Sequence, residues 1–442
     1  MYCNDSESCY NNAMNNRRTF FSYVIPSVLS FALSGIYAIV DGFFIGNRIG
    51  DAGLSAINIA YPITAFIQAA GTGIGIGASV RYSILMAGGD KDRASEFIAG
   101  AIYMMLLISA VISGGVFFFS RALLAALGAS GQLLSLGNEY IRLIAVGSLL
   151  QVFGTGLVPF MRNFGGSLWA MGAMIGGFIT NVFLDFFLIW IKGKGMTGAA
   201  LATVAGQGIT MLVALIYCLA KRRLALRISS YDIWDVFLRT LKIGLAPFAL
   251  TLAPNISLII INRFSVFYGG EAAIAIYACI SYIIWIVYLL LQGVGDGSQP
   301  LMSRFFGEGD KRSLSQIKSL AYESAILLAI AGALVIFFLR ARIGLLFGSS
   351  ATVNKGIIRV MPIFLLSLPF DAITRVTTAL FYATEKSIRS YILTFSEPVI
   401  LLLLILFLPP LAGGQTMIWW SAVIAKVVTA GISIWLGIRG EE

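Results

Sequence analysis

The chain is 442 residues long, 58% hydrophobic and only 12% charged, with a mean hydropathy of +0.87 and a net charge of +10. No water-soluble fold of this size can hide so much apolar surface, so the class is integral membrane protein. Four cysteines without ligand spacing and no histidine argue against the usual zinc and haem sites and exclude histidine relays and Ser-His-Asp chemistry. The basic balance is read as loop charge facing a bilayer, not as a nucleic-acid surface.

The polar opening lacks the apolar stretch and small-residue site of a cleavable signal peptide, and residues 1–18 read as a tail, cytoplasmic by the charge bias given below. Apolar runs of about 20 to 30 residues then suit helices crossing a core about 30 Å thick and are too long for barrel strands. Twelve helices are predicted: 19–46, 53–86, 95–120, 136–160, 167–191 and 197–219, then 240–267, 272–305, 317–339, 356–383, 388–411 and 415–438. The basic loop 221–239 separates an N-lobe (19–220) from a C-lobe (240–442). With this count, 18 Lys and Arg fall on the side of both termini and nine on the other, which places the termini in the cytoplasm.

The chain also repeats itself. Gly73-Ile-Gly-Ile-Gly77 and Gly89-Asp-Lys91 recur 220 residues later as Gly293-Val-Gly-Asp-Gly297 and Gly309-Asp-Lys311, with Ser83 matching Ser303. One residue further apart, Pro26 pairs with Pro247, each early in the first helix of its lobe. Six helices per copy means the copies run the same way through the membrane, about a pseudo-two-fold axis along its normal. The expected fold is all-α, with twelve transmembrane helices in two six-helix lobes. The glycine runs lack the Gly-Lys-Ser/Thr of a phosphate loop and read as close helix packing.

A carboxylate deep in a span costs about 2.5–3.5 kcal/mol on insertion scales and is therefore a functional candidate. Five qualify: Asp41, Asp185, Asp296, Asp371 and Glu397. Asp41 sits among the small and polar residues Ser34-Gly-Ile-Tyr37 and Gly42, although an interfacial residue screened by Arg48 would look the same. Asn181 and Asp185 are four apart, hence on one helical face, and Thr203 adds a hydroxyl. Asn often glues helices together and a lone Thr often marks close packing, so these are the bland alternatives. Together, Asp41, Asn181, Asp185 and Thr203 suit a hard monovalent cation such as Na⁺, or a carboxylate pair sharing a proton. Nothing in the residues separates Na⁺ from H⁺. In the second lobe, Asp371 and Glu397 are candidates for a cationic substrate or for pairing with Arg375, and Asp296 for a second coupling site or a partner of a stray base. Arg81, Arg142, Arg375 and Lys426, snorkelling near helix ends, are the candidate counter-ions of Asp296. Tyr37, Phe66, Tyr277, Tyr282, Trp285 and Tyr288 are candidates to line an aromatic cavity for flat cations.

Pro26 and Asp41 in helix 1, Asn181-x-x-x-Asp185 in helix 5, Thr203 in helix 6, and Gln299-Pro-Leu-Met-Ser-Arg304 followed by Gly307-Glu-Gly-Asp-Lys311 resemble the multidrug and toxic-compound extrusion (MATE) transporters over essentially the whole chain. The resemblance implies a V-shaped twelve-helix fold with alternating access. It also implies a coupling-cation pocket at Asp41, Asn181, Asp185 and Thr203. The function expected is a Na⁺- or H⁺-coupled antiporter of the inner cell membrane of a bacterium or archaeon. It would export amphipathic, cationic organic compounds as a monomer without a cofactor, with Pro26 as the hinge. The rivals are a lipid-linked oligosaccharide flippase, which calls for an Arg-rich cavity; a membrane-embedded transferase, which calls for a catalytic base near a loop; and a channel, which would not need two unlike lobes.

Overall fold

A computed structural model describes residues 6–228, 233–346 and 350–439, which contain helices and connecting turns and no strand. The helices are α1 (Ser6–Arg48), α2 (Asp51–Ala87), α3 (Lys91–Ala126), α4 (Gly131–Val146), α5 (Ser148–Asn163), α6 (Ser167–Asp185) with a wider π-helical continuation (Phe186–Ile191), and α7 (Gly195–Ala220). Then follow α8 (Ile233–Gly270) and α9 (Ala272–Gly307), which meet at Gly270 with φ 62. The rest are α10 (Lys311–Leu346), α11 (Ala351–Leu365), α12 (Leu368–Ala383), α13 (Ser387–Leu411) and α14 (Gln415–Ile438). Ten helices are long and apolar enough to cross a membrane, and the bent pairs α4–α5 and α11–α12 complete twelve spans. Every predicted helix has its counterpart. The expected tail is helical from Ser6, and Asn16 there donates to Ser313 Oγ and Gln316 Oε1 on α10.

Two spans expected to be continuous are broken, by 59° at Gly147 and by 44° at residues 366–367. The causes differ although the places correspond in the repeat. At Gly147 a methyl group would run into Val204, so only glycine admits α7 so close to the bend. At the second break, Pro369 stands in the first turn of α12, where its missing N–H is tolerated but would break a continuing helix.

The repeated Gly-Asp-Lys motif builds one turn twice. Gly89 and Gly309 both take positive φ (92 and 71), which ends the preceding helix without a side-chain clash. The next N–H closes on the helix in each copy, Asp90 to Leu85 O and Asp310 to Phe305 O, both at 3.0 Å. Asp90 then caps α3 by accepting from the Arg93 N–H.

By internal packing, the chain forms two compact units: an amino-terminal one of Phe21–Leu252 with Ser303–Lys311, and a carboxy-terminal one of Met1–Phe20, Ala253–Met302 and Arg312–Glu442. The join between the repeats and the join between the packed units therefore fall at different places. The linker belongs to the amino-terminal unit: Arg223 donates to Tyr82 OH, Leu226 O accepts from Tyr103 OH, and Asp235 is held by Arg93 and Arg239. Within the same unit, the first glycine run docks α8. Methyl groups on Gly73 and Gly77 would strike the backbone of Gly244 and Thr240.

Candidate functional site

In the amino-terminal unit, α6 and α7 run antiparallel and cross at glycines. A methyl group on Gly206 would lie 2.7 Å from Gly177 O, and one on Gly177 would lie 2.7 Å from Gly206 O. That contact sets Asn181, one turn beyond Gly177, opposite Thr203, and the Asn181 amide donates to Thr203 Oγ1 at 3.5 Å. Asp185 follows one turn later, as the last residue before the π-helical segment. Such wide turns recur at functional sites because they redirect the side chains around them.

α1 supplies the other side of the pocket. Tyr37 stacks on Phe178 of α6, ring centres 5.3 Å apart, and one turn on, Asp41 faces Asp185 closely enough for a shared proton to join the two carboxylates. Arg48 is occupied elsewhere: it donates to Trp190 O and lies over the Trp190 ring, so it does not screen Asp41. Asn181 and Asp185 are buried, at 2% and 0% exposure. Asp41 Oδ1, Asn181 Oδ1 and both Asp185 carboxylate oxygens nevertheless find no hydrogen-bond partner. Buried oxygens are ordinarily satisfied, so four orphaned acceptors converging from α1 and α6 describe a place for a positive species.

Tyr140 of α4 completes the pocket, buried, with its hydroxyl facing Thr203 and with Asp41 and Asp185 acting on it. Sequence reasoning missed it. It lies between Glu139 and Arg142 in a short amphipathic helix, and only its place opposite Thr203 distinguishes it from other tyrosines. Its neighbour Glu139 accepts from Thr197 N and Oγ1, tying α4 to the start of α7. Two carboxylates, an amide oxygen and hydroxyls are hard donors, suited to a monovalent cation or a proton. Among the described residues, no three His, Cys, Asp or Glu side chains gather as a transition-metal site would require.

The second-lobe candidates are arranged otherwise. Asp371, 2% exposed, accepts from Arg375 Nε at 2.7 Å and from Lys426 Nζ at 2.8 Å. Lys426 also pairs with Glu397 at 3.0 Å. Arg375 and Lys426 both lie over the Tyr288 ring, 5.1 and 4.5 Å from its centre. Arg375 continues to Gln292 Oε1, and the Gln292 amide donates to Asp296 Oδ1, which also accepts from Tyr382 OH. Asp296, Asp371 and Glu397 thus belong to one chain of bonds across α9, α12, α13 and α14. The aromatic candidates scatter. Tyr282 is exposed on α9, Phe66 packs edge-on against Phe248, and Tyr277 joins Phe364 and Trp419 in a ring cluster.

An all-helical chain of twelve spans, internally duplicated, with an acid pair inside the first copy, is the architecture of a membrane transporter. The family model MatE matches residues 26–187 and again 247–408, and the chain belongs to that family. The two matches start 221 residues apart, the spacing that pairs Pro26 with Pro247. The chain is similar to the multidrug export protein MepA of Staphylococcus saprophyticus, 24% identical over 92% of this chain and 90% of that one. The MepA of Staphylococcus aureus strain MRSA252 is 23% identical over 93% and 91%. Among solved structures, a multidrug resistance MATE family transporter of the MOP superfamily, in an outward-facing conformation, has a TM-score of 0.87 at 22% identity over 96% of each chain. A MOP superfamily transporter from Pyrococcus furiosus, whose binding pocket is described as of reverse polarity, has a TM-score of 0.89 at 21% identity over 96% of each chain.

Proposed function

We propose that this protein is a cation-coupled antiporter that exports amphipathic organic compounds bearing a positive charge, with Na⁺ or H⁺ as the coupling ion. It works as a monomer in the cell membrane, with both termini in the cytoplasm. The observation that carries the reading is the set of orphaned oxygens on Asp41, Asn181 and Asp185. Two facing carboxylates in a low dielectric repel one another, and a cation or proton entering between them removes the repulsion. The loaded pocket then favours the arrangement of α1 that keeps Asp41 against Asp185. An ion shifts a conformational equilibrium only through such a difference in affinity.

α1 can respond at Pro26, a proline inside the helix that has no backbone N–H to give to it. α1 runs unbroken through the proline in this structure, and Ser30 Oγ donates to Pro26 O at 2.7 Å. Export of multiple drugs is supported by the names of the relatives, the multidrug export proteins MepA. The deciding experiment is ethidium efflux from reconstituted vesicles under an imposed Na⁺ gradient and, separately, an imposed pH gradient. Efflux under one identifies the ion, and efflux under neither sinks the reading.

A further inference from the structure

We propose that the carboxy-terminal unit seats an anionic, two-chain phospholipid in a forked groove on α10, α12 and α14, with Lys318 at the headgroup. The leaflet, the cytoplasmic one, follows from the placement of the termini given above; the seat itself is defined by its own residues.

Two grooves, of about 650 and 320 Å³, open along this face. Lys318, Tyr322 and Ile326, each one turn apart on α10, line both and form the ridge between them. The first groove continues down α10 past Leu327 to Ile330, and the second is walled by Ile373 of α12 and by Ile434 and Gly437 of α14. A hydrogen bond of 2.7 Å between Tyr322 OH and Thr377 Oγ1 ties the ridge to α12. A molecule with one chain would fill one branch. A lipid with two chains straddles the ridge and brings its headgroup to Lys318, the cation common to both branches.

Depth and charge name the occupant. Ile330 lies twelve residues beyond Lys318, about 18 Å along the helix, which reaches from headgroup level into one leaflet, whose share of the hydrocarbon core is about 15 Å. The far walls are apolar and exposed, with Leu327, Ile330 and Ile434 uncovered by protein. Arg312, one helical turn before Ser315, and Arg439, at the end of α14, add positive charge at the cytoplasmic mouth. The acid that lines the first branch, Glu323, stands about 7.5 Å deeper than Lys318 and accepts from Ser319 Oγ, below the level of a headgroup phosphate. A methyl group on Gly437 would meet nothing within 4 Å, so protein packing does not account for that glycine; it keeps the second branch wide. Basic residues at the cytoplasmic surface attract anionic lipids in this way.

The test is native mass spectrometry of the full-length protein in detergent, titrated with phosphatidylglycerol, phosphatidylcholine and the one-chain lysophosphatidylglycerol. The wild-type protein is expected to bind phosphatidylglycerol about fivefold more tightly than phosphatidylcholine, which is about 1 kcal/mol for one basic residue. Lys318→Gln is expected to bring phosphatidylglycerol down to the level of phosphatidylcholine. Gly437→Leu, which has room for its side chain, fills the second branch and is expected to weaken phosphatidylglycerol about fivefold while leaving the one-chain lipid unchanged. Equal binding of the two diacyl lipids by the wild-type protein overturns the proposal. So does an unchanged preference in Lys318→Gln, or a Gly437→Leu variant that loses both phosphatidylglycerol and its one-chain form equally, or neither. Ethidium efflux reads the transporter function separately: no efflux with the lipid preference intact would sink that reading and leave the lipid seat standing.

Discussion

Each unit buries acidic side chains at membrane depth, and the two solve the problem in opposite ways. Around Asp41 and Asp185 the acceptors outnumber the donors, and no base is bonded to either carboxylate. Around Asp371 each carboxylate has a donor: Arg375 and Lys426 hold Asp371, Lys426 holds Glu397, and Gln292 holds Asp296. An unfilled acidic pocket is ready to receive a cation, whereas a filled one can accept a ligand only by exchange. Counting carboxylates in a span does not separate these cases. Counting their partners does.

The comparison can be broken most sharply at the aspartates themselves. Asp41→Asn and Asp185→Asn are each expected to abolish ethidium efflux while leaving the melting temperature unchanged or raised, because each removes one of two facing like charges. Full efflux in either variant would end the coupling role. Asp371→Asn should do the reverse to stability. It leaves two buried bases with a neutral partner, a loss of about 3–5 kcal/mol, visible as a large drop in thermal midpoint.

A smaller effect is expected at the helix crossing. Gly206→Ala forces α7 away from α6 by pressing on Gly177 O, for about 1–3 kcal/mol of stability, and it separates Asn181 from Thr203. A variant with unchanged melting and efflux would show that the glycine contact does not set the pocket. Tyr140→Phe, which deletes only a hydroxyl, should reduce efflux several-fold at unchanged stability, in line with about 0.5–1.5 kcal/mol for one hydrogen bond. Least of all, Thr203→Val should slow Na⁺-driven efflux more than H⁺-driven efflux, since a hydroxyl ligates a metal ion but need not carry a proton. Equal slowing under both gradients would remove Thr203 from the ion's ligands.

Much of this was legible before the structure because membranes simplify the code. A span must be a long apolar helix, so residues 415–438 read directly as α14. The Gly-Asp-Lys motif was legible as a repeat, but the left-handed glycine and the capping Asp90 that it builds appear only in the structure. Asp41, Asn181, Asp185 and Thr203 stood out as polar residues in apolar helices, and they do meet. The bends were less legible. Gly147 looks like any of 47 glycines until Val204 is placed against it, and that contact depends on how α7 packs. The fate of Asp371 turned on Lys426, 55 residues away, and no local pattern reports such a pairing.

The linker that joins the repeats carries a consequence of its own. Because Arg223, Leu226 and Asp235 are fastened to α2 and α3, the chain leaves the amino-terminal unit inside a helix, at Leu252, and not at the loop. A protease nick among residues 224–228 would therefore cut the thread without cutting the machine.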